Sequence, residues 1–154
     1  VSYYREYYEE KGMFENEVYP GIKQLLRDLT KQGVLCLVAT SKPEIYAKKI
    51  LDYYELSNYF YYIAGANMDG TRTDKAEVIA YALKQIPAEY NNKKVLMVGD
   101  RSHDIIGAKK NGIDCAGVLF GYGSREELEE AGADFVADSV EAVRNIILLD
   151  TAMN

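Results

Sequence analysis

The sequence predicts an α/β domain in which a parallel sheet is covered by helices on both faces. Three observations carry this reading. Helix and strand signals alternate along nearly all of the 154 residues, the pattern that builds a parallel sheet. Val34-Leu35-Cys36-Leu37-Val38-Ala39 is a continuous apolar run, as expected of a strand buried on both faces. A second apolar run, Val95-Leu96-Met97-Val98, ends in Gly99-Asp100, and another carboxylate follows at Asp104. Strand ends of this kind point side chains into the crevice where parallel α/β sheets bind ligands.

Taken in order, Tyr3, Tyr4, Tyr7 and Tyr8 form an aromatic stripe on a helix that Gly12 ends. A second helix opens at Pro20, which suits a first-turn position, and Gly33 closes it. The strand at 34–39 follows. Pro43 starts a helix with Ala47, Ile50, Leu51 and Tyr54 on one face. Residues 61–64 read as a short strand, and Asp74 caps a helix running to about Ile86. The 95–98 strand leads into a helix (Ile105, Ile106, Ala108) that Gly112 ends. A strand at 115–119 precedes a helix from Ser124, where Ser124 and Glu127 have the spacing of a capping box, and Gly132 ends it. A strand at 134–137 and a helix from Ser139 to about Leu149 complete the pattern. Repeats, low-complexity tracts and linkers are absent from the sequence.

With 48% hydrophobic and 27% charged residues, the composition is that of one globular domain able to bury a core without staples. The net charge of −6 disfavours nucleic acid and anionic membrane as partners, since both need a basic footprint. Cys36 and Cys115 sit in apolar, strand-like runs and read as buried thiols of a reducing compartment. There is no signal peptide and no apolar run of about 18 residues, so the expected location is cytoplasmic. Val1 opens directly into a helical pattern without an initiator Met, which reads as a fragment.

The chemistry concentrates at strand ends. Asp100 and Asp104 make a hard, oxygen-rich site of the kind Mg²⁺ uses, with water and phosphate filling the remaining positions. The structural alternative is a turn glycine followed by an aspartate that caps the helix. The first strand finishes in Thr40-Ser41-Lys42-Pro43, placing two hydroxyls and an ammonium just ahead of a helix N-terminus, an arrangement suited to an oxyanion, although taken alone the stretch reads first as a plain Ser/Thr helix cap. Lys75 stands in the first turn of the Asp74 helix, where the macrodipole disfavours a cation, and a charge so placed is expected to be used, the alternative being a flexible surface lysine tolerated between Asp74 and Glu77. Asp69-Gly70-Thr71 reads as a turn beside the site. Gly121-Tyr122-Gly123 lacks the third glycine of a dinucleotide loop and reads as a phosphate-adjacent loop. His103, the single histidine, reads as a solvent-facing helix residue.

Thr40 after an apolar strand, Lys75 opening a helix, then Gly99-Asp100-x-x-x-Asp104 after another strand resemble, in order, motifs two, three and four of the haloacid dehalogenase phosphohydrolase superfamily. Three flanking phrases are similar to its phosphoglycolate phosphatase branch, and closely to 5′-nucleotidase-like members. They are Val38-Ala39-Thr40-Ser41-Lys42-Pro43, Asp69-Gly70-Thr71-Arg72 and Gly121-Tyr122-Gly123-Ser124-Arg125-Glu126-Glu127. The resemblance implies a Rossmann-like three-layer αβα core and a Mg²⁺-dependent phosphomonoesterase working through an aspartyl-phosphate. Thr40 would hydrogen-bond the transferring phosphoryl group with Ser41 in support. Lys75 would neutralise its charge, Asp100 would ligate Mg²⁺, and Asp104 would orient the metal's waters. The implied substrate is a small phosphorylated metabolite or nucleotide.

One departure is severe. Motif one, a strand ending Asp-x-Asp-x-Thr that supplies nucleophile and general acid, occurs nowhere in these residues. The resemblance therefore divides the chain into a remnant of a helical cap at 1–15, a phosphatase core at 16–150 and a tail at 151–154. Most of the cap and the central strand would be missing. Either another polypeptide segment fills the gap between the strands at 34–39 and 95–98, or those two strands close on each other. Without the nucleophile the chain should not turn over, and a non-catalytic phosphate- and Mg²⁺-binding or interaction fragment is the rival reading. A response-regulator receiver would place its carboxylates first, then the hydroxyl, then the lysine. Here the order is Thr40, Lys75, Asp100.

Overall fold

The structure is a computed structural model that describes residues 19–152, so the Tyr3–Tyr8 stripe lies outside the described residues. Among the described residues six α-helices and five strands alternate: α1 (Ile22–Lys31), β1 (Leu37–Pro43), α2 (Glu44–Tyr53), β2 (Tyr62–Ala66), α3 (Lys75–Lys84), β3 (Leu96–Gly99), α4 (Ser102–Lys110), β4 (Asp114–Val118), α5 (Arg125–Ala131), β5 (Phe135–Ala137) and α6 (Val140–Ala152). All strand pairs are parallel. The predicted α/β class and order hold, with boundaries displaced by a few residues.

The displacements have local causes. The Val34 N–H closes the end of α1 on the Leu29 carbonyl at 2.9 Å, so residues 34–36 serve as a connection rather than as strand. Pairing starts where Tyr61 N–H donates to the Cys36 carbonyl at 2.8 Å, and the β1–β2 ladder slips between Ala39 and Pro43. Thr40 and Ser41 thus lie on the irregular last stretch of β1. Pro43 sits at the N-cap of α2, not inside it. Likewise α1 begins after Gly21, whose left-handed φ of 90° turns the chain inward, a conformation open to glycine. Asp74 occupies the N-cap of α3 but makes no side-chain cap bond. At its far end, α6 continues to Ala152, past Leu149 and into the stretch expected as a tail.

Helices cover both faces of the three-stranded sheet β3-β4-β5. On one face Leu25 and Leu29 of α1 and Val143 of α6 pack with Val118 and Ala137. On the other Ile105 and Ala108 of α4 and Leu128 of α5 pack with Cys115. Successive side chains of β4 alternate between these clusters as a pleat requires. Gly117 leaves room for Leu128, since a Cβ there would lie 2.9 Å from Leu128 Cδ1. Burying a side chain such as Ile105 or Leu128 contributes about 1.5–3 kcal/mol. Cys115 is buried and Cys36 is only partly so, a correction to the expectation for that thiol; both are free.

β1 and β2 form a separate two-stranded sheet, with α3 packed on Ala64 through Val78 and Ala82. Among the described residues, β1 pairs only with β2 and β3 only with β4. The alternative in which the two inner strands close on each other is therefore not what the chain does. Val98, in the middle of β3, remains 37% exposed. A cavity of about 280 Å³ runs along it, lined by Ile22, Leu25, Val118, Phe120 and Val143 and reaching Gly99 and Asp100. Among the described residues no helix is long and apolar enough to cross a membrane.

Candidate active site

The first turn of α3 packs closely against the second half of α4. At Gly107 a Cβ would lie 3.0 Å from Ile79 Cδ1 and 3.1 Å from the Ala76 nitrogen. Asn111 Nδ2 then donates to the Ala76 carbonyl at 3.0 Å and to the Gly107 carbonyl at 2.9 Å. This clasp brings Lys75 Nζ to 2.8 Å from Asp104 Oδ1, with side chains only 11% and 5% exposed. Lys75 is not a flexible surface lysine. The adjacent carboxylate offsets the unfavourable helix dipole at its position.

Asp104 does two things at once. Its Oδ1 faces Lys75 without an aligned hydrogen-bond donor. Its Oδ2 accepts the Asp100 N–H at 3.0 Å and the Arg101 N–H at 3.2 Å. One side chain thus caps the start of α4 and pairs with Lys75. Gly99 is required beside it, because a Cβ there would fall 2.3 Å from Asp104 Cβ.

Asp100 is gripped by residues 121–123. Tyr122 N–H donates to Asp100 Oδ2 at 2.9 Å, and Gly123 N–H donates to the Asp100 carbonyl at 2.8 Å. A Cβ at Gly121 would lie 2.3 Å from Asp100 Cβ, and one at Gly123 2.2 Å from the Asp100 carbonyl oxygen. The Gly-Tyr-Gly phrase, expected as a phosphate-adjacent loop, is thus a cradle for a carboxylate. Glycine spacing alone does not tell an anion bound by a loop from an aspartate bound by it. Ser124 Oγ caps α5 by accepting the Glu127 N–H at 3.1 Å. Glu127 does not complete the expected capping box. Its Oε2 instead accepts the Ser102 N–H at 2.7 Å and Arg101 Nε–H at 2.9 Å. These bonds hold its carboxyl below the usual range, the Arg101 guanidinium contributing most.

Thr40 Oγ1 accepts the Lys42 N–H at 3.2 Å, which leaves the hydroxyl proton to be donated. Burial pushes the Lys42 ammonium down from its ordinary pKa. The loop before Lys75 is moored to the β1 and β2 ends by Arg72. That residue donates from Nε to the Gly65 carbonyl at 2.8 Å, approaches Glu44 at 3.6 Å and lies 3.7 Å over the Tyr81 ring. The structure therefore joins Lys75, Asp100 and Asp104 directly. No hydrogen bond or ion pair links Thr40 or Ser41 to them among the described residues. His103 is 57% exposed with Nε2 3.9 Å from Asp104 Oδ1, and Asp69 folds back on Thr71 in an exposed turn.

Among the described residues, no group of three or more His, Cys, Asp or Glu side chains gathers to hold a metal. The donor set is one cradled carboxylate, Asp100, with Asp104 committed to Lys75 and two amides. That fits Mg²⁺ as a partial site, because this ion uses one or two carboxylates and keeps water and phosphate as its other ligands.

Parallel strands alternating with helices, with Lys75 opening α3 and an Asp-x-x-x-Asp pair following β3, form a Rossmann-like α/β core. The haloacid dehalogenase-like hydrolase family matches residues 1–118, and the chain belongs to it. A 5′-nucleotidase of Pseudomonas aeruginosa is 38% identical over 149 residues, covering 96% of this chain and 66% of that protein. Tyrosine-protein kinase PtkA of Mycobacterium tuberculosis is 39% identical over 147 residues, covering 94% of this chain and 50% of that protein. Phosphoglycolate phosphatases match at lower identity. The crystal structure of a predicted phosphatase from Clostridium acetobutylicum superposes with a TM-score of 0.88 at 44% identity, covering 96% of this chain and 68% of that one. The chain thus spans about half to two-thirds of the length of these curated relatives.

Proposed function

We propose that this chain carries the phosphate- and metal-side groups of a Mg²⁺-dependent phosphomonoesterase that works through an aspartyl-phosphate. The observation that carries the reading is the Lys75–Asp104 contact beside Asp100, which assembles a cation and two carboxylates at the starts of two helices. A small phosphate monoester is the substrate class, with a 5′-nucleotide first, since the 5′-nucleotidase is the more similar phosphatase, and phosphoglycolate second. Residues 1–15 belong to the cap in this reading and 16–150 to the core, and the protein is cytoplasmic.

Each residue then has a definite task. Thr40 donates its hydroxyl proton to a phosphoryl oxygen, with Ser41 beside it. Lys75 is held by Asp104 so that its charge faces the site, where preorganised charge acts without reorganisation. Asp100 would hold Mg²⁺, whose charge, when bound, would stabilise the negative charge on the phosphoryl oxygens. Asp104 fixes Lys75 and the Asp100 backbone and would orient the water of a bound ion. The nucleophile and the general acid come from an Asp-x-Asp-x-Thr strand seated between β1 and β3.

The test is inorganic phosphate release from 5′-nucleotides and phosphoglycolate with Mg²⁺, with and without an added Asp-x-Asp-x-Thr segment. The expected result is no turnover by the chain alone and turnover with the segment. Mg²⁺ titration should show a much larger loss for Asp100→Asn than for His103→Ala. The absence of any Asp-x-Asp in these residues favours a binding fragment as the second reading, and silence after the segment is added would select it. Robust turnover by the chain alone would overturn the assignment of the nucleophile.

A further inference from the structure

We propose that Glu127 is a positioning residue for Asp100, an inference that rests on reading Asp100 as the metal-facing carboxylate. The loop that presents Asp100 is short, and its polar groups are accounted for one by one. Asp100 N–H and Arg101 N–H go inward to Asp104. The Asp100 carbonyl and Oδ2 accept Gly123 and Tyr122 N–H groups. The remaining Ser102 N–H, together with the Arg101 guanidinium, goes outward to Glu127 Oε2.

Glu127 stands in the first turn of α5, directly after the segment whose amides hold Asp100. One carboxylate therefore locks the start of α4 to the start of α5. The 100–102 and 121–123 segments are pressed together between them. Gly123 makes the approach possible, since a Cβ there would also come within 3.3 Å of Glu127 Oε2. The more ordinary arrangement, in which Glu127 turns back on its own N-cap, would leave Ser102 N–H at the α4 terminus without this partner.

A purely local cap and a positioning role make different demands on amides that Glu127 does not touch. The experiment measures hydrogen exchange of the Tyr122 and Gly123 amides, and Mg²⁺ affinity by chemical-shift titration, in the wild-type chain, Glu127→Ala and Glu127→Gln. Positioning predicts about tenfold faster exchange at Tyr122 and Gly123 in Glu127→Ala, with roughly several-fold weaker Mg²⁺ binding. Glu127→Gln should fall between, because its amide oxygen still accepts the Ser102 N–H but has no charge for Arg101. Faster exchange confined to Ser102, with Mg²⁺ affinity unchanged, would overturn the proposal and leave Glu127 a cap of α4. If the wild-type chain itself shows no Mg²⁺ response, the metal reading of Asp100 fails, and the exchange data decide the positioning role alone. Should Glu127→Ala not fold, Arg101→Ala and Glu127→Gln supply the same comparison.

Discussion

Lys75 and Asp104 meet at 2.8 Å across two helix N-termini, the first residue of α3 facing the third of α4. The contact connects the crossover that leaves β2 with the one that leaves β3, two strands in separate sheets. It therefore contributes to holding the two sheets in register as well as to the site. Removing one partner of a buried pair typically costs about 3–5 kcal/mol, because the other charge is left without compensation. Asp104→Ala should cost more than Lys75→Met, since it also strands the Asp100 and Arg101 amides. Urea unfolding of both variants checks the order, and equal or reversed losses would contradict it.

The cradle makes a second expectation. Gly123→Ala pushes a methyl group to 2.2 Å from a backbone carbonyl oxygen, which cannot swing away. Gly121→Ala meets the Asp100 side chain at 2.3 Å and displaces it. Overpacking of this kind costs about 1–3 kcal/mol, and both variants should also weaken Mg²⁺ binding. Gly70→Ala is the control. It has a left-handed φ of 89° and no atom within 4 Å of its Cβ, so it should lose some stability while Mg²⁺ affinity stays as it was. A Gly70→Ala affinity loss equal to that of Gly121→Ala would contradict the cradle.

The element order was legible in the sequence because alternation and apolar runs are properties of the chain itself. Lys75, Asp100 and Asp104, to which the strand end and helix starts pointed, do come together, while no hydrogen bond or ion pair joins Thr40 to them among the described residues. Lys75 was found by its electrostatic misplacement, which local sequence reports. Glu127 was not, because its partners Ser102 and Arg101 lie about 25 residues upstream, and its spacing from Ser124 already had a sufficient local explanation. The strand at 34–39 was misplaced for a related reason. Apolar content does not reveal that Val34 is spent closing α1 and that the ladder waits for Tyr61.

Acid should weaken the fold through two carboxylates. Asp134 is held below its usual 3.8, first by the Cys115 N–H, and Glu127 below its usual 4.5, first by Arg101. A depressed folded value means the charged form is favoured on folding. That stability is fully present above about pH 5 and is lost as pH falls through the unfolded and then the folded values. Urea midpoints between about pH 6 and pH 3 should fall less steeply for Asp134→Asn and Glu127→Gln than for the wild type. Curves parallel to the wild type would show that these bonds do not favour the ionised forms.

The inner edges of β1 and β3 lead to the last prediction. In a parallel sheet the interior strands are covered on both faces and paired on both edges, yet β1 pairs only with β2 and β3 only with β4 among the described residues. Val98 is 37% exposed, and an apolar cavity of about 280 Å³ lies along it, ending at Asp100. One extended segment between the two strands would pair both edges, cover Val98 and deliver its own strand end beside Asp100. A peptide with an apolar run ending in Asp-x-Asp-x-Thr should raise the melting temperature in a concentration-dependent way. The expected gain is about 2.7 kcal/mol at a hundredfold excess over its Kd. It should also slow amide exchange in β1 and β3. The outer edges, on β2 and β5, are the internal control, since unpaired edges attract extended peptides without discrimination. Protection of β2 or β5 in place of β1 and β3 would mean edge capture, not completion of the sheet, and the proposed route to an active site would fail with it.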